Sequence, residues 1–183
     1  GDLSDGIPNF FVPSAYVFSI WALIYFLVGA FTVYQALPAQ KNNVLLKKIA
    51  PWFVLSNIAN AMWIILWHYR FVALSLTAML AILITLIVIY WQLGTGRYAV
   101  KREEWFFMRL PFSVYLGWIT VATVANVTSL LVVNDWNGFG LPEPIWSAMM
   151  ITVATLVGGL VAMRHRDFAY VGVLIWAFVG IAV

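Results

Sequence analysis

The chain of 183 residues contains no cysteine. That excludes disulfides, thiolate nucleophiles and iron–sulfur ligation, and leaves no thiol from which to read a redox compartment. Charge is nearly as scarce: Asp, Glu, Lys and Arg make up 9% of the residues, against about 25% in soluble domains. Six stretches, 13–37, 49–67, 71–93, 110–134, 144–163 and 168–183, hold no charged side chain at all. The proton relays, ion sites and voltage sensors that intramembrane charge marks are therefore not expected, nor is an ion-coupled transporter. No general base, activated nucleophile or metal-ligand cluster is visible, so no catalytic residue, metal site or enzymatic turnover is expected.

What is abundant is apolar: 64% of the chain. Five of the six runs reach the roughly 20 residues a helix needs to cross about 30 Å of hydrocarbon. The sixth has 16 residues and stops at Val183 without a polar flank, so the natural chain is expected to continue. The start opens on Gly1 with acidic Asp2 and Asp5, unlike the basic start of a signal peptide. Continuous rather than alternating runs favour helices over a membrane barrel. The fold class expected is all-α, a polytopic membrane helical bundle in which one transmembrane domain, 1–183, crosses six times. Pro13 and Pro144 open spans, where a missing N–H costs nothing; Pro38 and Pro51 are read at span ends, and Pro111 one residue into the fourth span. The longest connection expected is 94–109.

Counting basic residues on alternate sides gives the orientation. One side receives Lys41, Lys47, Lys48, Arg97, Lys101, Arg102, Arg109, Arg164 and Arg166; the other has Arg70 alone. This nine-to-one split, with Asp135 and Glu143 on the sparse side, predicts an external N-terminus and three cytoplasmic basic connections, as in a bacterial inner membrane. The net charge of +3 is thus a topology signal, with no nucleic-acid footprint. Trp52, Trp91, Trp105, Trp136 and Trp146 sit at span ends as an aromatic belt. His68 and His165 fall on opposite sides, cannot share one haem iron, and are read as interfacial, water-facing side chains.

The informative positions are polar and aromatic residues inside spans. In the second span Asn57 and Asn60 are followed by Trp63 and Trp67; in the fourth, Tyr115, Trp118, Ala122, Asn126 and Ser129 recur at spacings of three and four, which stacks them on one helix face. An unpaired amide in hydrocarbon costs several kcal/mol, roughly 2–7 depending on the reference state, so both stripes are expected to face protein, ligand or trapped water. Asn60 and Asn126 are expected to share a polar neighbourhood with Tyr25 or Tyr115. Bonds between membrane helices, each worth about 0.6–2 kcal/mol, would satisfy the amides without any ligand; for the indoles that explanation is weaker.

These residues carry a family resemblance. PSAYVFSIWALIYFLVG in the first span resembles PxxWVFGPVWxxLYxxMG of the tryptophan-rich sensory protein and translocator protein family, with Trp21, Tyr25 and Gly29 matching. NIANAMWIILW resembles LALNxxWxPxFF through Asn60 and Trp63, and VYLGWITVATVAN resembles PYLxWxxFAxxLN through Tyr115, Leu116, Trp118, Ala122 and Asn126. The resemblance covers 13–136. It implies that the five-helix family's first helix would precede Gly1 or be missing, and it leaves 144–183 as extra helices. Val127 stands where animal members have the Tyr of their sterol motif, so sterol binding by that route is not implied.

What the resemblance implies is a lipophilic-ligand protein that binds porphyrins or related tetrapyrroles, with no obligatory cofactor. Trp21 and Trp118 would be pocket indoles, Trp63 a wall, Ala122 a small residue leaving room, and Tyr25, Asn60, Tyr115 and Asn126 further ligand-binding positions. Independently of the family, a flat apolar macrocycle stacks well on indole faces and accepts polar contacts at its edge. A second reading belongs to another class: an accessory subunit of a larger membrane complex, such as a pigment-containing photosynthetic one, or a homo-oligomer. Its motivation is the small-residue face Ala154, Gly158 and Ala162, on which a partner helix could approach closely. Reporter fusions after Gln40, Gly96 and His165 are expected to read cytoplasmic and one after Asn137 external. A cytoplasmic reading at Asn137 would overturn the six-span topology.

Overall fold

Each charge-free run becomes a helix, because a backbone surrounded by hydrocarbon can satisfy its polar groups only from within. The computed structural model describes residues 15–136, 138–140 and 142–182; Asp2, Asp5, Pro13 and Asn137, named above, lie outside them. A 3-10 turn, Ala15–Ser19, leads into α1, Ile20–Ala36; there follow α2, Val44–His68, and α3, Val72–Gln92. Then come α4, Arg102–Val133, α5, Glu143–His165, and α6, Phe168–Ala182. The first five are long and apolar enough to cross a membrane. The sixth is equally apolar but has 15 described residues.

Two helices extend beyond their apolar runs, which corrects two expectations. Asn43 caps α2 by accepting from the backbone N–H groups of Leu45 at 3.0 Å and Leu46 at 3.3 Å, the usual device at an N-cap. The helix therefore starts at Val44, and Pro51 lies inside it rather than at its end. The proline removes only the bond to the carbonyl of Lys47, and the helix runs on. Similarly, α4 starts at Arg102, so the connection expected over 94–109 is non-helical only to Lys101. Glu103 and Glu104 occupy the first turn of α4, where negative charge suits the helix dipole. Residues Trp105–Arg109 form a π turn immediately before Pro111. The ring of Pro111 would press on the carbonyl of residue 107 in a regular helix, and the wider turn relieves that contact. The same turn carries Arg109 into the protein, where it is 4% exposed.

The bundle is organised around α4, which packs against α1, α3 and α6; α2 packs on α3, and α5 on α6. Residues 111–119 of α4 are buried without a break, as expected of a helix enclosed on every side. The outer helices keep their apolar residues outward instead: Phe26, Val33, Ile58, Ile84, Leu156 and Ile175 are all exposed. Ala154 and Gly158 of α5 are buried and Ala162 is half-buried. A Cβ at Gly158 would collide with the Leu174 side chain of α6, so α6 of the same chain occupies this face.

Gly117 marks the closest approach of α4 to α6. A Cβ there would lie 3.0 Å from the carbonyl oxygen of Tyr170 and 3.1 Å from Cβ of Val173, and a helix backbone cannot retreat as a flexible side chain can. Tyr170 then donates to the Thr120 hydroxyl at 3.1 Å, closing the same contact. Gly117→Ala is expected to cost about 1–3 kcal/mol, the range for overpacking. Gly29→Ala, in α1 with open space around it, should leave stability unchanged or raise it by up to about 1 kcal/mol through helix propensity. Thermal unfolding of the two variants in detergent checks this; equal stability would show that the α4–α6 contact tolerates a methyl group.

Candidate functional site

Trp21, early in α1, is partly buried and packs against the core, one turn before the buried Ile24. Four aromatic rings surround it, and all four are positions singled out from the sequence. The Trp21 ring stacks on Tyr25 at 5.4 Å and 26°, and on Trp63 of α2 at 6.0 Å and 24°. It meets Tyr115 and Trp118 of α4 edge-on at 6.0 and 6.3 Å. Trp67 continues the column beyond Trp63, at 6.1 Å and 21°. Tyr25, Trp21, Trp63 and Trp67 thus form a run of offset, near-parallel rings, within the centroid range of about 4.5–7 Å favoured by aromatic pairs. Tyr25 ends it on the outside of the bundle, half exposed, and Trp67 ends it at the other side; Trp118, edge-on to Trp21, lies inside at 2% exposed.

The polar atoms at this cluster are unsatisfied. The indole nitrogens of Trp63 and Trp118 and the side-chain oxygen of Asn60 are buried and have no hydrogen-bond partner. An indole N–H usually finds an acceptor when buried, and buried polar groups without partners call for an explanation. Two donors and one acceptor, carried on α2 and α4, are thus left without partners.

Asn126 behaves differently. It is buried, but its partner is Ser75 of α3 at 3.4 Å, not Tyr25 or Tyr115. The Ser75 hydroxyl spends its one proton on the carbonyl of Val72 at 2.8 Å, so the Asn126 amide donates to the Ser75 oxygen. Ala122 lies between Trp118 and Asn126 on α4, packed against the core. Asn57 was expected to share the inward stripe, yet it is exposed; its amide donates to the carbonyl of Phe53, one turn back, at 2.7 Å, which satisfies it without an inward partner. His165 also departs from expectation: Nδ1 lies 2.9 Å from the carbonyl of Thr95, and its ring packs edge-on against Tyr90. His68 is exposed, as a water-facing side chain would be.

Sequence reasoning missed Phe18, which meets Trp118 edge-on at 5.7 Å; its position three before Trp21 was the available signal. It also missed Ser75, because a serine in an otherwise plain apolar span carries no signal of its own. Removing that partner by Ser75→Ala leaves the Asn126 amide unpaired and is expected to cost about 0.6–2 kcal/mol, the range for such bonds between membrane helices. The double variant Ser75→Ala/Asn126→Leu should recover most of that loss, since replacing both partners by apolar groups is far less costly than orphaning one. Detergent unfolding of the two variants checks it, and equal loss in both would exclude the bond as the cause.

A family model described as TSPO-like protein matches residues 1–183. The matched stretch thus includes the last two helices as well as the portion that carries the motifs. No curated protein and no solved structure matches the chain.

Proposed function

Because this chain belongs to the TSPO-like protein family and is an integral membrane protein, we propose that it binds a flat lipophilic ligand of the tetrapyrrole class at the indole cluster. One observation carries the reading: the orphaned polar atoms of Asn60, Trp63 and Trp118 sit beside a column of near-parallel rings. A porphyrin-like macrocycle offers an apolar face to such rings, and polar atoms at its edge answer the indole N–H groups and the amide oxygen. Half-exposed Tyr25 gives the ligand a route from the lipid. The surrounding groups are indoles, phenols and an amide, none of them an ordinary base or activated nucleophile at neutral pH, which favours binding or sensing over turnover. The basic residue count favours a cytoplasmic-membrane protein with its N-terminus outside. The accessory-subunit reading has no comparable support, since Leu174 of the same chain covers Gly158.

Titration of the purified protein with protoporphyrin tests the proposal. Saturable quenching of tryptophan fluorescence is expected. Trp118→Phe should keep the fold and lose one stacking contact worth about 0.5–1.5 kcal/mol, a weakening of roughly three- to twelvefold. Trp136→Phe should bind as wild type, because that ring packs on Phe139 and Trp146 instead. Equal affinity in all three proteins, or no saturable binding by wild type, would overturn the assignment.

A further inference from the structure

At the opposite end of the bundle, the α3–α4 connection and the α5–α6 corner enclose a cleft of about 710 Å³. Four arginines line it, Arg97, Arg102, Arg109 and Arg166, against one carboxylate, Asp167. That carboxylate is already committed. Its oxygens accept from the backbone N–H groups of Ala169 and Tyr170 at 3.1 and 3.2 Å and from the Tyr90 hydroxyl at 2.9 Å. Glu104 reaches only Arg109, at 3.9 Å. The cleft is left with an excess of fixed positive charge.

Arg109 is the informative member. It is 4% exposed; Nη1 donates to the carbonyl of Tyr98 at 2.8 Å, and the guanidinium lies 4.6 Å over the Tyr98 ring. Nε and Nη2 nonetheless make no hydrogen bond, and neither does the buried hydroxyl of Thr95, which lines the same cleft. A guanidinium offers its donors in a planar fork suited to two oxygens of one anion, and here part of that fork is free.

The walls are fixed. A Cβ at Gly96 would strike the carbonyl of His165, and φ there is +75°, so only glycine lets the connection lie against the end of α5. His165 holds the same strand of chain through Thr95. Exposed apolar side chains, Phe168 at 85% and Trp105 at 46%, stand with the exposed arginines at the opening, a mixture suited to the level where headgroups meet acyl chains.

We propose that this cleft binds a phosphate group, carried on the headgroup of an anionic phospholipid. A basic pocket between membrane helices on the basic side suits such a headgroup, and the exposed rim residues suit its acyl chains. The oxygens of the phosphate take the free donors of Arg109 and Thr95, and exposed Arg97 and Arg166 complete the charge balance.

Native mass spectrometry of the delipidated full chain tests this. Dioleoyl phosphatidylglycerol should occupy one saturable site, and dioleoyl phosphatidylcholine should not. Each of Arg97→Ala and Arg166→Ala should weaken retention about fivefold, and the pair about twenty-five-fold, from the usual contribution of a basic side chain near an anionic surface. Arg109→Gln should abolish the site; if it fails to fold, the surface pair still decides. Competition by glycerol 3-phosphate or inorganic phosphate at low millimolar concentration would keep the phosphate site and identify a soluble occupant. Equal retention of the two lipids, or wild-type retention by the double variant, would overturn the proposal.

Discussion

Inside hydrocarbon a polar side chain has no water to bond, and nearly every hydroxyl in these helices answers that constraint locally. Thr32, Thr77, Thr123, Thr128, Ser129 and Thr155 each donate to the carbonyl one turn back. Ser75 donates to the carbonyl of Val72 in its own helix and accepts from the Asn126 amide across to α4. Against that background the buried side-chain atoms left without partners among the described residues fall into two groups, Asn60, Trp63 and Trp118 in one and Thr95 and Arg109 in the other. The chemistry of the two groups differs as their surroundings do: indoles and an amide deep among rings, a guanidinium and a hydroxyl at the polar edge.

Each group has one member on α4, Trp118 in the first and Arg109 in the second, and residues 111–119 of that helix are enclosed by protein. Arg109 and Trp118 are nine residues apart, roughly 14 Å along the axis at 1.5 Å per residue. The continuous burial of 111–119 holds them at a fixed separation, and the π turn at Trp105–Arg109 sets which way the arginine faces. Had Pro111 met a regular helix, the strain would have fallen on the same turn. The widened turn removes that strain and brings Arg109 under the Tyr98 carbonyl.

Much of this was legible in the sequence, for physical reasons that also define its limits. Charge-free runs locate helices because charge is costly in hydrocarbon. Spacings of three and four placed Asn60 with Trp63, and Tyr115 with Trp118, on shared helix faces; Trp21 and Tyr25 came from the family resemblance, and the packing of three helices brings the rings together. Apolar runs mark the edge of the hydrocarbon and not the end of hydrogen bonding, however. The extensions of α2 to Val44 and α4 to Arg102 were therefore read as connections, Arg109 with them, and Pro51 was read at a span end rather than inside a helix. The inward placement of Asn57 failed because an amide can bond its own helix. The tie between His165 and Thr95 joins residues 70 apart, and no local pattern encodes it.

The residues with the family motifs do not hold the indole site by themselves. Phe18, which packs edge-on against Trp118, belongs to the 3-10 turn before α1, and that turn is fastened by the far end of the chain. The Trp176 indole of α6 donates to the carbonyl of Val17 at 3.2 Å, and Gly180 lies so close to the Val17 side chain that a Cβ there would overlap it. The same α6 meets α4 at Gly117, one residue before Trp118. A helix without any of the recognised aromatic positions thus sets both the backbone that carries Trp118 and the turn that covers it. Helix α5 in turn seats Leu174 of α6 over Gly158. Through α6, the last two helices thus pack against both the turn and the helix that carry the indole cluster.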